Sequence, residues 1–194
     1  PLVVGGTEEQ KQRWLGRVAD EGLLVAYAVT EPAAGSDVAS LRTSAEPLSD
    51  GCANCRAYRL NGTKQFITNG GEADLYTVLA RTPGGPSFFV IERGTPGLSS
   101  GPPELKHGIR ASNTTQGILE DVELPADQLI GGEEGKGLVQ AGEVFGFTRL
   151  MVAACGLGVG EEALSRAVAY GKERHQFGEP LVAKQGFTHK LLVP

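Results

Sequence analysis

The distribution of proline divides this sequence into parts with different folding prospects. Prolines recur among the short apolar runs of the middle, but none lies between Gly137 and Pro180. Proline inside a helix removes a hydrogen bond and clashes with the preceding turn. This proline-free stretch therefore has room for a long helix. We expect one helix over about residues 138 to 175 and a second starting near residue 183.

The middle of the chain has the composition of β-structure. Between Gly, Pro, Asn and Asp breaks, it carries short runs rich in β-branched and aromatic residues, namely LLVAYAV, RAYRLNGTKQFIT, LYTVLAR, SFFVIE and GILEDVEL. The Asn-Gly pair within LNGTK predicts a hairpin turn, and TPGGP and RGTPG predict two further turns. These runs predict a small antiparallel sandwich or barrel.

A helix is expected before this β-region, over residues 7 to 20. Thr7 has the N-cap position and Gln10 the capping-box position. The order of helix, β-domain and helices gives an α+β chain with several domains and no internal repeat. The predicted domains are residues 1–22, 23–130 and 131–194.

Composition and charge exclude several classes of function. The net charge is −5 and there is no basic tract, which argues against nucleic acid as a partner. No apolar run approaches the roughly 20 residues of a membrane span. The three cysteines include one C-x-x-C pair, Cys52 and Cys55, and a structural zinc would need two further ligands. We therefore expect no metal site and a reducing, intracellular setting.

The ends of the sequence suggest a fragment. The first residue is a proline, and the last residues, HKLLVP, stop inside an apolar run. We therefore expect the chain to be part of a longer protein.

The stretch YAVTEPAAGSD raises a question of function, because an apolar run there ends in a rigid corner of small and hydroxyl residues. The Thr30 hydroxyl can donate to or accept from a ring edge, and Pro32 stiffens the corner. Residues 33 to 35, Ala-Ala-Gly, leave room for a flat or phosphorylated ligand near the backbone. Ser36 and neighbouring N–H groups can hold a phosphate. A plain structural turn remains the alternative.

A second stretch, KQFITNGG, repeats the pattern with an aromatic residue, then Thr68 and Asn69, then two glycines. Two such strand ends in one β-domain favour a shared pocket. Neither GLGVGEEA nor GGEEGKG completes a nucleotide-binding fingerprint. We expect a packing role for the first and a plain loop for the second.

Taken together, these stretches resemble the acyl-CoA dehydrogenase family, most nearly its medium-chain members. The resemblance follows family order over nearly the whole chain, in GTEEQKQRWL, AYAVTEPAAGSDVASLRTSAE, YRLNGTKQFITNGGEADLYTVLAR, GIRASNTTQGILEDVELPADQLIG, GKG, TRLMVAACGLGVGEEAL and YGKERHQFGEPLVAKQ. It implies a helical domain cut short, a complete middle β-domain and the first part of a C-terminal helical bundle.

The resemblance implies FAD as the cofactor. Thr30 would contact the pyrimidine end of the flavin, Ser36 the phosphates, and Thr68 the region near N5. Phe66 stands where many relatives carry Trp, so the indole N–H donor is lost. The residues implied for the cofactor are Tyr27, Val29, Thr30, Gly35, Ser36, Phe66, Ile67 and Thr68, with Arg174, Gln176 and Gln185 reaching the FAD of a neighbouring subunit.

The implied reaction removes an α-proton from an acyl-CoA thioester and passes the β-hydrogen to flavin N5 as hydride, leaving a trans-2-enoyl-CoA. The implied substrate contacts are Ser36, Phe145, Thr148 and Arg149. Gly146 stands where many relatives carry an aspartate. The catalytic carboxylate is expected beyond residue 194, because Thr148 occupies the alternative position on the helix and cannot act as the base. The fragment alone is therefore expected to be inactive.

The implied partners are an acyl-CoA substrate, an electron-transferring flavoprotein and further copies of the chain in a homotetramer or dimer. The implied role is in fatty acid metabolism, and the location is bacterial cytoplasm or the mitochondrial matrix. The alternatives are an acyl-CoA oxidase, a flavin-free scaffold of the same fold, and an unrelated β-sandwich binding module. The last alternative predicts that Arg174→Ala leaves ligand binding unchanged.

Overall fold

The computed structural model describes residues 1–49 and 56–192, which form two compact units, Pro1–Val144 and Phe145–Pro194. Cys52 and Cys55 lie outside the described residues. The prediction that this pair binds no metal therefore stays a prediction. Within the described part of the chain no cluster of three metal-ligating side chains occurs.

The predicted N-terminal helix is confirmed, with a π-helical turn in its middle. Its segments are α2 (Glu8–Gln10), a π-helix (Lys11–Leu15) and α3 (Gly16–Glu21), and a separate short helix, α1 (Leu2–Gly5), precedes it. The predicted capping box is present: the Gln10 amide N–H donates to the Thr7 hydroxyl at 3.2 Å, and the Thr7 N–H donates to the Gln10 side chain at 3.1 Å. Trp14 is fully buried, which fixes the inward face of the segment.

A seven-stranded sheet forms the rest of the first unit. Its strands are β1 (Val25–Ala28), β2 (Ser44–Ser49), β3 (Arg56–Thr68), β4 (Leu75–Thr82), β5 (Gly85–Glu92), β6 (Leu98–Ser100) and β7 (Thr114–Pro125). The order is β1-β4-β2-β3-β7-β6, with β5 also paired to β4. The predicted architecture of helix, β-domain and helices is confirmed. The sheet is not wholly antiparallel, however, because β1 and β2 pair in parallel with successive stretches of one edge of β4.

The Asn61–Gly62 pair does not form the predicted hairpin turn. It lies inside the continuous strand β3, which pairs with β7 on both sides of it. There β7 carries one extra residue, and Asp121 has a φ of 51°. The Asn61 side chain accepts from the Asp121 N–H at 2.8 Å. The Asn-Gly signal therefore marks a β-bulge, because pairing with β7 overrides the local turn preference.

The other two predicted turns are confirmed. TPGGP joins β4 to β5 in an antiparallel hairpin, and RGTPG links β5 to β6 with Gly94 and Gly97 at φ of 81° and 84°. Beyond the sheet, Glu134 accepts from the Tyr58 hydroxyl at 2.7 Å and from the Gly84 N–H at 2.7 Å. These two bonds fix the loop that leads into the long helix against the β4–β5 turn.

The helices predicted after residue 137 are confirmed within about two residues. They are α4 (Gly137–Glu173) and α5 (Gln185–Leu192), with a short hairpin of β8 (His175–Gln176) and β9 (Glu179–Pro180) between them. A Cβ at Gly171 would lie 2.6 Å from a ring carbon of Phe187, so only glycine allows this close packing of α4 and α5.

Helix α4 is long and apolar enough to cross a bilayer, and an 18-residue window in it has a mean hydropathy of 1.3. The core helix of a water-soluble protein passes the same test, so one such helix is weak evidence. The expectation of no membrane span stays a prediction.

Candidate binding site at two strand ends

The first half of the candidate site is the corner that follows β1. The chain turns tightly between Glu31 and Ala34, whose main-chain groups exchange hydrogen bonds of 2.9 and 3.2 Å across Pro32 and Ala33. After this turn, Gly35 and Ser36 are exposed. A Cβ added at Gly35 would meet no atom within 4 Å, so neither packing nor a positive φ requires glycine there. The turn itself is therefore held by main-chain hydrogen bonds, and the residues that follow it are open to solvent.

The second half is the end of β3, where the strand bulges. Lys64 lies opposite Gly117 and Ile67 opposite Thr115, so β3 holds one extra residue at this point. Within the bulge Phe66 has a φ of 58° and is 62% exposed. Non-glycine residues rarely adopt that conformation, and such strain concentrates at functional sites. The bulge turns a large aromatic side chain out of the domain.

The two halves run side by side in opposite directions and are joined by hydrogen bonds at both ends. The Gln65 N–H donates to the Thr30 carbonyl at 2.8 Å, and the Lys64 ammonium donates to the Val29 carbonyl at 3.2 Å. At the other end, the Asn69 amide donates to the Val25 carbonyl at 3.2 Å. We call residues 25–36 together with residues 64–69 the two-strand edge. Its ends are fixed before any ligand binds.

A buried ion pair lies at the centre of this edge. The Lys64 ammonium is 2.8 Å from the Glu31 carboxylate, and both side chains are at least 96% buried. Glu31 also accepts from the main-chain N–H groups of Arg42 at 2.6 Å and Thr43 at 3.0 Å. Three donors are thus directed at this carboxylate.

Burial and the attraction between the two charges shift the pKa values of Lys64 and Glu31 in opposite directions. Burial lowers the pKa of Lys64, and the facing Glu31 carboxylate only partly offsets this. Burial by itself raises the pKa of Glu31, but the hydrogen bonds from Lys64, Thr43 and Arg42 outweigh it and bring that pKa below its ordinary value. Because the three donors favour the carboxylate, we treat Glu31 as ionised and Lys64 as its charged partner.

The structure places the site residues predicted in the β-domain on the two halves of the edge. Thr68, Gly35, Ser36 and Phe66 are exposed, and Thr30 is half-buried. These five residues offer two threonine hydroxyls, a serine hydroxyl and an aromatic face along one edge.

Three further predicted residues face inward to different degrees. Val29 and Ile67 are buried, so any contact they make with a ligand uses the main chain. Tyr27 stacks on Phe88 with ring centroids 5.7 Å apart, and burial raises its pKa to about 12. Its hydroxyl therefore stays protonated at physiological pH.

The remaining predicted residues belong to the second unit. Arg174, Gln176 and Gln185 are exposed around the β8–β9 hairpin and the start of α5. On α4, the Arg149 guanidinium lies 5.5 Å from the centre of the Phe145 ring, and Thr148 is exposed. Their predicted roles towards cofactor and substrate stay predictions.

Sequence reasoning missed two residues that hold the site together, Lys64 and Glu31, and it named Asn69 without its part in joining the two halves. A signal for Lys64 exists: in β3 it shares the inward phase with Tyr58 and Leu60, which are buried. A lysine at an inward position requires a buried partner.

The first unit is thus a β-domain whose two-strand edge carries exposed hydroxyl and aromatic side chains. A family model for the acyl-CoA dehydrogenase middle domain matches residues 26–122, and one for the acyl-CoA dehydrogenase C-terminal domain matches residues 135–193. The chain belongs to the acyl-CoA dehydrogenase family.

Known relatives agree with this assignment. The chain is 42% identical over 196 residues to an acyl-CoA dehydrogenase of Bacillus subtilis, covering 98% of this chain and 50% of that protein. The structure of butyryl-CoA dehydrogenase from Megasphaera elsdenii is 42% identical, with a TM-score of 0.87 over 98% of this chain and 50% of that one. An acyl-CoA dehydrogenase from Bacillus anthracis, solved in complex with FAD, is 36% identical, with a TM-score of 0.88 over 98% of this chain and 33% of that one. The chain thus spans about half the length of the Bacillus subtilis and Megasphaera elsdenii proteins and a third of the Bacillus anthracis protein.

Proposed function

We propose that the whole protein is an FAD-dependent acyl-CoA dehydrogenase that converts an acyl-CoA thioester to a trans-2-enoyl-CoA. The observation that carries this proposal is the two-strand edge, with exposed hydroxyl and aromatic groups on a frame that is held by hydrogen bonds between its two halves. The complex of the Bacillus anthracis relative with FAD supports the choice of cofactor.

The residues of the edge fit a flavin. An isoalloxazine ring is flat, with apolar faces and a rim of donors and acceptors, and a threonine hydroxyl can both donate and accept. Thr30 and Thr68 would hold the rim, and Phe66 would provide an apolar contact without an N–H donor. Gly35 leaves the main chain open beside the Ser36 hydroxyl, which suits a phosphate.

In the proposed reaction, FAD supplies a two-electron acceptor for the substrate's β-hydrogen. The protein's part is to hold the thioester, to polarise its carbonyl as charge develops, and to remove the α-proton with a carboxylate. Ser36, Phe145, Thr148 and Arg149 are the proposed substrate contacts. Thr148 has no basic group at neutral pH, so the base is a carboxylate elsewhere in the protein.

The proposal includes a homo-oligomer, a tetramer or a dimer. Arg174 would reach the pyrophosphate of a neighbouring subunit's FAD, which suits a guanidinium because its fixed fork of donors matches phosphate oxygens. Gln176 and Gln185 would contact the same cofactor. We place the protein in a reducing intracellular compartment, with an electron-transferring flavoprotein as acceptor.

The first test is the visible absorption spectrum of the purified full-length protein. A flavin band that bleaches when butyryl-CoA is added without oxygen is the expected result. A folded protein that shows no band, and gains none with added FAD, would contradict the proposal and favour the flavin-free scaffold. Rapid recovery of the band in air would favour the oxidase.

A matched pair of variants ties the band to the edge. Thr68→Val removes an exposed hydroxyl of the edge and should weaken FAD binding. Thr95→Val makes the same change in the turn after β5, where the hydroxyl donates to the Glu92 carbonyl at 2.8 Å. Equal FAD affinity in the two variants would argue against a role for Thr68.

A further inference from the structure

A charged pair buried in the β-domain has no part in the reaction proposed above, yet it lies at the centre of the two-strand edge. Lys64 is 1% exposed and the Glu31 side chain 4% exposed. A buried charge pair is weak evidence for stability, because desolvation offsets the attraction between the charges. Its position therefore needs another explanation.

The contacts of Lys64 suggest what the pair does. Its ammonium donates both to the Glu31 carboxylate at 2.8 Å and to the Val29 carbonyl at 3.2 Å. The acceptors flank Thr30, whose own carbonyl accepts from the Gln65 N–H. One side chain of β3 thus contacts both neighbours of a predicted flavin contact, Val29 through its main-chain carbonyl and Glu31 through its carboxylate.

The same lysine anchors the bulge that exposes Phe66. Residues 64 to 67 contain the extra residue of β3, and Phe66 has a φ of 58°. Such a conformation persists only where the surroundings determine it fully. The Lys64 side chain and the Gln65 N–H supply two fixed points immediately before Phe66.

Glu31 extends the frame in a third direction. Its carboxylate accepts from the main chain of Arg42 and Thr43, in the segment that leads into β2. The pair therefore joins three chain segments, namely the corner after β1, the bulge of β3 and the entry to β2.

We infer that Lys64 and Glu31 are positioning residues that hold the two-strand edge in its cofactor-binding form. This inference rests on the proposed function, since it takes the ligand of the edge to be FAD. Without the pair, the domain keeps its sheet but the edge samples other arrangements. The apparent dissociation constant then rises in inverse proportion to the fraction of molecules with a competent edge.

The test separates positioning from stability with three variants. Lys64→Met keeps the length of the side chain and removes its charge and donors. The double variant Glu31→Gln with Lys64→Met also removes the carboxylate left unpaired. Arg59→Met is the matched control, because Arg59 lies on the same strand in an exposed 2.7 Å pair with Glu123. For each, the melting temperature of the apoprotein and the dissociation constant for FAD are measured, the latter by quenching of flavin fluorescence.

We expect Lys64→Met to lower the melting temperature and to raise the FAD dissociation constant about tenfold, the change that follows if a tenth of the molecules keep a competent edge. The double variant should regain most of the lost thermal stability, because the buried unpaired charge is gone. Its FAD dissociation constant should stay raised, because the donor to Val29 is still missing. Arg59→Met should change neither quantity appreciably.

Recovery of both quantities in the double variant would overturn the inference, because the pair would then serve stability alone. If the wild-type protein itself binds no FAD, no variant will show binding either. That result would contradict the proposed function and, with it, this inference.

If Lys64→Met does not fold, Asn69→Gly tests the other end of the edge. Glycine tolerates the φ of 61° found there, and the change removes only the bond to Val25. If Asn69→Gly binds FAD as tightly as the wild type, this would contradict the claim that the edge is held in its cofactor-binding form before FAD binds.

Discussion

Gly35→Ala is the most direct probe of why the corner after β1 is built from small residues. Nothing in the described chain would contact the new methyl group, since no heavy atom lies within 4 Å of that Cβ. The backbone is also outside the left-handed region that favours glycine. If glycine is needed there, the need arises from a ligand.

The expected size of the effect follows from this geometry. Replacing glycine by alanine at an unstrained position stabilises by about 0.4–1 kcal/mol through the unfolded chain. At roughly 2–4 °C per kcal/mol for a chain of this size, the apoprotein should melt about 1–4 °C higher. FAD affinity should fall about tenfold, or ~1.4 kcal/mol, because the methyl group takes up space beside the main chain.

Gly70→Ala is the matched control for this substitution. Its Cβ would clash with the Thr115 hydroxyl and lie 3.0 Å from the Ile67 carbonyl oxygen. Overpacking of this kind costs about 1–3 kcal/mol, so the apoprotein should melt about 2–12 °C lower. Differential scanning calorimetry of both apoproteins and FAD titrations provide the comparison. A Gly35→Ala variant with wild-type FAD affinity, or with a lowered melting temperature, would refute the reasoning.

Three further predictions address single contacts. Because the folded pKa of Glu31 lies below its ordinary value of 4.5, its stabilisation is present above about pH 4.5 and is lost as the pH falls through the folded pKa. Glu31→Gln should therefore flatten the acid side of the stability profile in urea unfolding, and an unchanged slope would refute this. Tyr58→Phe removes the 2.7 Å bond to Glu134 and should cost about 1.5 kcal/mol in the same assay; a loss below a few tenths would contradict it. Arg174→Ala should weaken FAD binding with no change in apoprotein melting temperature, since Arg174 is exposed, and Arg174→Lys should recover only part of the affinity. Unchanged affinity in Arg174→Ala would instead fit the unrelated binding module.

Elements governed by local signals were predictable from the sequence, and elements governed by pairing were not. The capping box at Thr7 and the absence of proline between Gly137 and Pro180 are local signals, and the helices begin and end close to where these signals place them. The strand β2 contains Pro47 and a glutamate, so its sequence has no β-like pattern. It becomes a strand because β3 pairs with it along its whole length. The hairpin turn predicted at Asn61 was wrong for the same reason, because β3 pairs with β7 on both sides of that residue.

The candidate site divides in the same way. Thr30, Ser36 and Thr68 lie within the motifs and are recognisable there. The partner of Lys64 lies 33 residues away, and nothing in the local pattern of β3 identifies it. Alternation along the strand shows only that Lys64 points inward. The position of Glu31 depends on the fold of the whole sheet.

The cross-links of the two-strand edge also have a consequence for the order of events during folding. The bond from Lys64 to Val29 spans 35 residues, and the bond from Asn69 to Val25 spans 44. Contacts between such distant segments form only after the chain has met the entropy cost of closing the loop between them. The edge therefore comes into existence only when β1 and β3 have been brought together. A chain in which these two segments have not yet met offers the proposed cofactor no such edge to bind.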